Sequence, residues 1–414
     1  MKPSGPIPSD FQAICGELAI AGRPVSELLD EAGDTPLFVY DGGVIRARVA
    51  ALRQAMPAGV AIHYAIKANP HPDVLALLAA LVDGFDVASA GELAQAIAAG
   101  PHAISFAGPG KRDHELAAAI DAGATINLES EAEADRALRL AEAAGRPPAL
   151  AVRVNPSFAI TGSGMRMGGG ARPFGIDAER VPALVRRLRG AGADWRGFHV
   201  YAGSQSLDAQ AIIAAQSATV ALVAELAEKA GAIPPTVNLG GGFGIPYFAG
   251  DRPLDIAMIG VALSETLARR PMILGDSQFA IELGRWLVGE AGVYLARVID
   301  RKISHGETFL ITDGGLHHML AASGNFGTVV RRNYPIAHAG RFAMASEESV
   351  TVTGCLCTPL DLLGDSVSLP RAEVGDVIAI FMAGAYAASA SPQAFLNHPP
   401  AGEMLVETPS SGSS

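Results

Sequence analysis

Between about residues 60 and 290 one local pattern recurs: a short apolar run, then in most cases an Ala- and Leu-rich stretch with helical spacing. The runs are 61–67 (AIHYAIK), 84–89 (GFDVAS), 104–108 (ISFAG), 124–129 (ATINLE), 149–154 (ALAVRV), 198–203 (FHVYAG), 236–240 (TVNLG) and 279–283 (FAIEL). Helical segments fall at 90–99, 113–122, 130–145, 178–190, 208–230 and 254–270. Strands alternating with helices build parallel βαβ units. Eight such strands are the number that closes around a filled interior, so the expectation is α/β, a (β/α)8 TIM-like barrel. A doubly wound open sheet is the alternative. After residue 290 the texture changes to β-segments at 291–299, 308–313, 349–355 and 376–382, which predicts a C-terminal β-rich domain, a β-barrel or sandwich. The 414 residues divide accordingly. Residues 36–290 form the barrel, 1–35 with 291–405 form the β-rich domain, and 406–414 form a disordered tail.

Bulk properties narrow the function. A formal charge of −11 argues against broad contact with nucleic acid or anionic membrane. No apolar run suggests a membrane span, and the N-terminal residues lack a signal-peptide core. Three cysteines, Cys15, Cys355 and Cys357, are too few for a disulfide framework, so a cytoplasmic setting is expected. No cysteine pair has zinc spacing, the ten histidines form no HExxH-like set, and no metal is expected.

Polar residues punctuate the strand ends: Lys67, Asp86, Arg153, Tyr201 with Ser204, the triplet Gly240-Gly241-Gly242, and Glu282 with Arg285. In a parallel barrel all strands end on one face, so these residues converge there. Each alone has an ordinary structural reading. A glycine triplet after the seventh strand suits close approach of backbone N–H groups to a phosphate, with Ser204, Arg285 and Tyr386 as further donors. A tight structural turn explains the glycines equally well. A strand-end lysine attacks an aldehyde when burial favours its neutral form, and a carboxylate facing a pyridine nitrogen keeps that nitrogen protonated. Lysine, phosphate cradle and acidic ring partner together describe a site for pyridoxal 5′-phosphate.

The markers YAIKAN (64–69), GFDVASAGEL (84–93), VRVNP (152–156), GSQ (203–205), GGGFG (240–244), ELGR (282–285), GCLCTPLD (354–361) and GAYAASAS (384–391) occur in that order. In these the chain resembles the pyridoxal-phosphate decarboxylases of the alanine-racemase-like barrel type, which include diaminopimelate, ornithine and arginine decarboxylases. The resemblance implies that Lys67 holds the cofactor as a Schiff base, with Asp86 close to it, Arg153 near the ring hydroxyl and Glu282 on the ring nitrogen. It implies that Ser204, Gly240, Gly241, Gly242, Gly284, Arg285 and Tyr386 bind cofactor, Tyr201 stacks on it, and Arg285, Thr358, Asp361 and Tyr386 contact substrate. Cys357 is implied as the proton donor after CO2 leaves, reaching the site across the interface of a homodimer with shared active sites.

Three departures bear on substrate. Tyr201 stands where the family usually stacks a histidine, with His199 one strand step behind. Thr358 follows Cys357 where relatives acting on distal amines carry an acidic residue. Ala321 and Asn325 align with an arginine and a tyrosine that grip the far end of diaminopimelate. A neutral hydroxyl gives a distal ammonium no charge-assisted partner. The substrate is therefore expected to lack that group. The segment 155–177 resembles decarboxylases encoded with exosortase systems and a relative that acts on a glutamyl group carried on an acyl carrier protein. That segment reads as a lid or as a surface insertion, and Arg166, Arg172, Arg331 and Arg332 as carrier contacts or solvated surface. The other readings are a decarboxylase of free diaminopimelate, ornithine or lysine, an amino-acid racemase, and a non-enzymatic pyridoxal-phosphate protein.

Overall fold

Helix ends are written into the chain between the strands. Ser89 and Ser130 accept hydrogen bonds from the N–H groups of Glu92 and Glu133 at 3.2 and 3.1 Å, and Asp208 accepts from Gln210 and Ala211. Such caps contribute about 1 kcal/mol each. The same helices stop at Gly100, Gly145 and Gly231, each in the left-handed conformation. The computed structural model describes residues 2–160, 165–166, 168–324 and 332–407.

Two compact units result, one of Val49–Ile245 with Pro253–Gly284 and one of Met1–Arg48 with Pro246–Arg252 and Arg285–Ser414. The first is a barrel of eight strands: β1 Val60–Ala65, β2 Gly84–Val87, β3 Ile104–Phe106, β4 Thr125–Leu128, β5 Ala149–Asn155, β6 Asp194–Val200, β7 Thr236–Gly241 and β8 Gln278–Leu283. Each strand pairs in parallel with the next, and β8 returns to β1, so no edge remains open among them. Many of their apolar side chains, among them Ile62, Phe85, Phe106, Ile126, Leu150, Val200 and Ile281, are fully buried. Helices α1 Pro72–Ala79, α2 Ala90–Ala99, α3 Asp113–Asp121, α4 Glu131–Ala144, α5 Val181–Gly190, α6 Ala209–Ala230 and α7 Ile256–Ala268 follow β1 to β7 in turn. By length and composition α6 passes as a membrane span, which the sequence reading did not anticipate. It is the crossover between β6 and β7, and Ile212, Val220, Val223 and Leu226 on it are buried.

The second unit is β-rich. Its long strand Gly292–Ser304 pairs antiparallel with Leu37–Asp41, Val377–Ile380 and Glu307–Thr312. Glu348–Thr353 and Leu362–Leu369 extend the sheet. Phe11, Leu18, Ile20, Leu37, Val293 and Phe381 form part of its core. Three sequence boundaries shift. Leu37–Asp41 hydrogen-bonds into this sheet, so the division falls at Arg48/Val49 and not at residue 36. At the other end the division is Gly284/Arg285. Val406 belongs to strand Gly402–Val406, beside Leu37–Asp41, and residues 408–414 of the expected tail lie outside the described residues.

Candidate active site

Strand register in the barrel brings together residues that the chain keeps far apart. Glu282 on β8 lies opposite His63 on β1 and Gly241 on β7. Asp86 on β2 lies opposite Ala65, and His199 on β6 lies opposite Arg153 on β5. Lys67 is not the last strand residue but the middle of a single 3-10 turn, Ile66–Ala68, that caps β1. Gly284 has a packing reason beside that turn, since a Cβ there would sit 2.8 Å from the Cβ of Ala68. A cavity of about 630 Å³ opens among these strand ends, within the usual range for small-molecule sites. Lys67, Asp86, Arg153, Tyr201 and Glu282 all line it, as does His199.

Glu282 is the electrostatic centre. Its two carboxylate oxygens face different partners: Oε1 lies 3.9 Å from Lys67 Nζ, and Oε2 accepts a 3.0 Å hydrogen bond from His199 Nε2. Burial by itself pushes this carboxyl up, but the His199 bond and the charges of Lys67, His199 and Arg153 outweigh it and hold the group at about 2. A permanent anion therefore sits in the cavity wall. Asp86 Oδ2 lies 3.5 Å from the buried His63 Nδ1. Burial disfavours charge on His63, and the Asp86 carboxylate more than reverses this, raising its pKa.

Arg153 carries a commitment that its sequence context did not reveal. Its guanidinium donates to Glu129 Oε1 at 2.8 Å, and Glu129 also accepts from the backbone of Gly108 and Gly175. Beside it the buried Lys111 donates to Glu133 and to the carbonyls of Gly108 and Asn127. The charged ends of β4 and β5 are thus one ionic network.

The glycine triplet combines two demands. A Cβ at Gly240, Gly241 or Gly242 would fall 2.5, 1.8 or 2.4 Å from the carbonyl oxygens of Val200, Glu282 and Gly203. Gly240 N–H is already taken by Asn238 Oδ1 at 2.9 Å, which removes it from any anion cradle. Ser204 is half-buried and pairs through its backbone with Met165. Within the segment 155–177, Asn155 Nδ2 donates to Gly170 O and Asp177 Oδ1, tying its described ends together. Residues 161–164 and 167 lie outside the described residues, as do Asn325 and Arg331.

In the β-rich unit Arg285 Nη1 donates to Tyr247 OH at 2.6 Å, and its guanidinium carbon lies 4.6 Å from the ring centre of Tyr386. Its Nε is buried without a hydrogen-bond partner among the described residues, an open donor suited to an anion. Cys357 is exposed, on a loop that runs from Gly354 to Asp361. Asp361 is 3% exposed, and its two oxygens accept from the backbone N–H groups of Leu316 and Leu356 at 2.6 and 2.8 Å. Those bonds make Asp361 the anchor of the cysteine loop. Arg332 lies over the Phe248 ring at 3.8 Å, and Arg172 is exposed.

Residues 43–289 match the family model described as the pyridoxal-dependent decarboxylase, pyridoxal binding domain. The chain belongs to the pyridoxal-dependent decarboxylase family. An L-glutamyl-[BtrI acyl-carrier protein] decarboxylase of Niallia circulans is 38% identical over 90% of this chain and 89% of its own length. A diaminopimelate decarboxylase of Methanothermobacter thermautotrophicus is 32% identical over 94% and 91%. Among solved structures, the diaminopimelate decarboxylase of M. jannaschii in co-complex with L-lysine superposes with a TM-score of 0.86 at 26% identity, covering 96% of this chain and 93% of that one.

The protein is a pyridoxal-phosphate-dependent decarboxylase on the expected barrel. Its barrel cavity fits the cofactor: an amine and a held carboxylate lie within 3.9 Å, and the buried Nδ1 of His199 has no hydrogen-bond partner among the described residues. Sequence reasoning missed His199 as a site residue, together with His63 and Glu129, which pair with the lining residues Asp86 and Arg153. The signals were present, a histidine on the same strand face as Tyr201 and a glutamate closing the run ATINLE, but neither identifies its partner.

Proposed function

We propose that this decarboxylase acts on an α-amino acid with no ammonium at its far end, presented as a glutamyl-like group on an acyl carrier protein. The state of the cavity's carboxylates carries this reading. Glu282 faces His199 and Lys67, Asp86 faces His63, and Glu115 accepts from the backbone N–H groups of Ala90 and Arg112. In the cysteine loop Asp361 is likewise engaged, and Thr358 is neutral. A distal ammonium would compete at each of these groups with a partner already in place. The loosest partner is His63, 3.5 Å from Asp86 Oδ2, which has no hydrogen bond among the described residues. An unpaired buried charge is costly. The 38% identity to a decarboxylase named for a carrier-bound glutamyl group supports the same reading. A free diaminopimelate-type substrate is the second reading, supported by the relative at 32%.

In this scheme Lys67 and Glu282 hold the cofactor's aldehyde and ring-nitrogen ends, Asp86, Arg153 and Tyr201 line its pocket, and Ser204 with Gly241 and Gly242 faces its phosphate. Bound there, the protonated pyridine ring supplies an electron sink for the bond that breaks as CO2 leaves. Glu282 keeps a negative charge beside that ring at every physiological pH, and His199 fixes the carboxylate's orientation. Arg285 and Tyr386 offer donors to anionic groups. Cys357, brought from the β-rich unit of a second copy of the chain in a homodimer, gives its Sγ proton to Cα once CO2 has departed. Three free thiols fit a cytoplasmic enzyme. The test is incubation of the holoenzyme with free and carrier-linked amino acids, followed by mass spectrometry. Loss of CO2 from glutamyl-carrier but not from diaminopimelate, lysine or ornithine is the expected result. Turnover of free diaminopimelate alone would overturn the proposal.

A further inference from the structure

The β-rich unit contains a second constellation that the decarboxylation scheme leaves unused. His317, Cys355 and His398 come from three separate stretches of chain, and their ligand-type atoms all lie within 4.8 Å of one another. His317 is fully buried, yet neither of its ring nitrogens has a hydrogen-bond partner among the described residues. Buried polar atoms are nearly always satisfied, so an imidazole with both nitrogens unpartnered points to a missing ligand. We propose that His317, Cys355 and His398 bind a zinc ion.

The chemistry of the donor set suits that ion. Two imidazole nitrogens and one thiolate sulfur form a borderline-soft set, as zinc sites with three protein ligands and one open position use. A point equidistant from three atoms 4.8 Å apart is about 2.8 Å from each, so small side-chain rotations reach zinc bond lengths of about 2.0–2.3 Å. On binding, the Cys355 Sγ–H bond breaks, its proton goes to solvent and the thiolate ligates the metal.

The surroundings are built to hold the ligands in place. Asp361 accepts from the N–H of Leu316, next to His317, and from that of Leu356, next to Cys355. A Cβ at Gly315 or Gly354 would lie 2.3 Å from an Asp361 carboxylate oxygen, so glycine at both positions admits the anchor. On the third side His318 Nε2–H donates to the carbonyl of Pro399, next to His398, at 2.9 Å. His318 Nδ1 in turn lies 3.1 Å from the hydroxyl of Tyr294. Both nitrogens of His318 are therefore engaged, and His317 is the one of the adjacent pair left to ligate. The ligands stand at positions 317, 355 and 398, with none of the short spacings that mark zinc in a sequence, which is why no metal was expected.

Chelator-treated holoenzyme, titrated with zinc against a chromophoric competitor, tests the proposal. One zinc per chain is expected, with Cys355→Ser and His398→Gln each weakening binding at least about tenfold. Cys357→Ser, altering the exposed neighbouring thiol, should bind zinc as the unaltered chain does. Cobalt(II) in place of zinc should give a thiolate-to-metal charge-transfer band that Cys355→Ser abolishes and Cys357→Ser retains. The zinc-loaded protein should also melt higher than the chelated one. Absence of stoichiometric binding, or folded Cys355→Ser and His398→Gln proteins that bind zinc as tightly as the unaltered chain, would overturn it.

Discussion

Replacing Glu282 by Gln removes one charge from the barrel and leaves its shape nearly unchanged. At an effective dielectric constant of about 20, a carboxylate oxygen 3.9 Å from the Lys67 ammonium attracts it by about 4 kcal/mol. The 5% exposure of Glu282 means that desolvation cancels part of this. A net charge-assisted interaction of about 1.5–3 kcal/mol remains. If the same anion holds the proton on the ring nitrogen, losing that energy lowers the protonated, electron-accepting fraction of the cofactor, and kcat falls by about 10- to 150-fold while KM changes little. The assay is single-turnover CO2 release by the purified variant, with cofactor content read from its visible absorption and folding from its thermal melt. Glu282→Asp, which keeps the charge but shortens its reach to His199, should lose less. A folded, cofactor-loaded Glu282→Gln enzyme with unaltered kcat would refute the reasoning.

The depressed pKa of Glu282 also has a stability signature. Its folded value, about 2, lies below the ordinary 4.5, so it contributes stability above about pH 4.5 that is lost as the pH falls through 2. The urea-midpoint difference between the unaltered chain and Glu282→Gln should therefore shrink from pH 6 toward pH 3, and a constant difference would contradict it. Lys67→Ala should abolish both the cofactor band and CO2 release. Mixed with inactive Cys357→Ala, it should regain about one quarter of the activity if two chains share each site and exchange at random, whereas no recovery after verified exchange would place Cys357 in its own chain's site. Gly241→Ala, which puts a Cβ 1.8 Å from the Glu282 carbonyl oxygen, should cost at least about 3 kcal/mol by denaturant unfolding.

The barrel was legible because its signals are local. Strand length, the helical period and the caps at Ser89, Ser130 and Gly231 lie within a few residues of what they control. The ordered motifs gave Lys67, Glu282 and the cysteine loop for the same reason. The boundary at residue 36 was misplaced because Leu37–Asp41 is a strand whose partner, Gly292–Ser304, lies some 250 residues away, and pairing, not composition, decides which unit owns it.

The chain by itself determined the eight strands of the barrel, most of the helices between them, and which residue types stand at the strand ends. Helix Pro72–Ala79 and strands Leu362–Leu369 and Gly402–Val406 were not read from it. Only the folded structure decided who faces whom. The His199–Glu282 bond, the Arg153–Glu129 pair and the capture of Asp361 by Leu316 and Leu356 all join residues or segments through strand register and loop closure. A carboxylate's charge is written in the sequence. Whether it remains available to a substrate depends on which N–H groups and cations the tertiary fold brings within 3 to 4 Å, where Coulomb and hydrogen-bond energies become decisive.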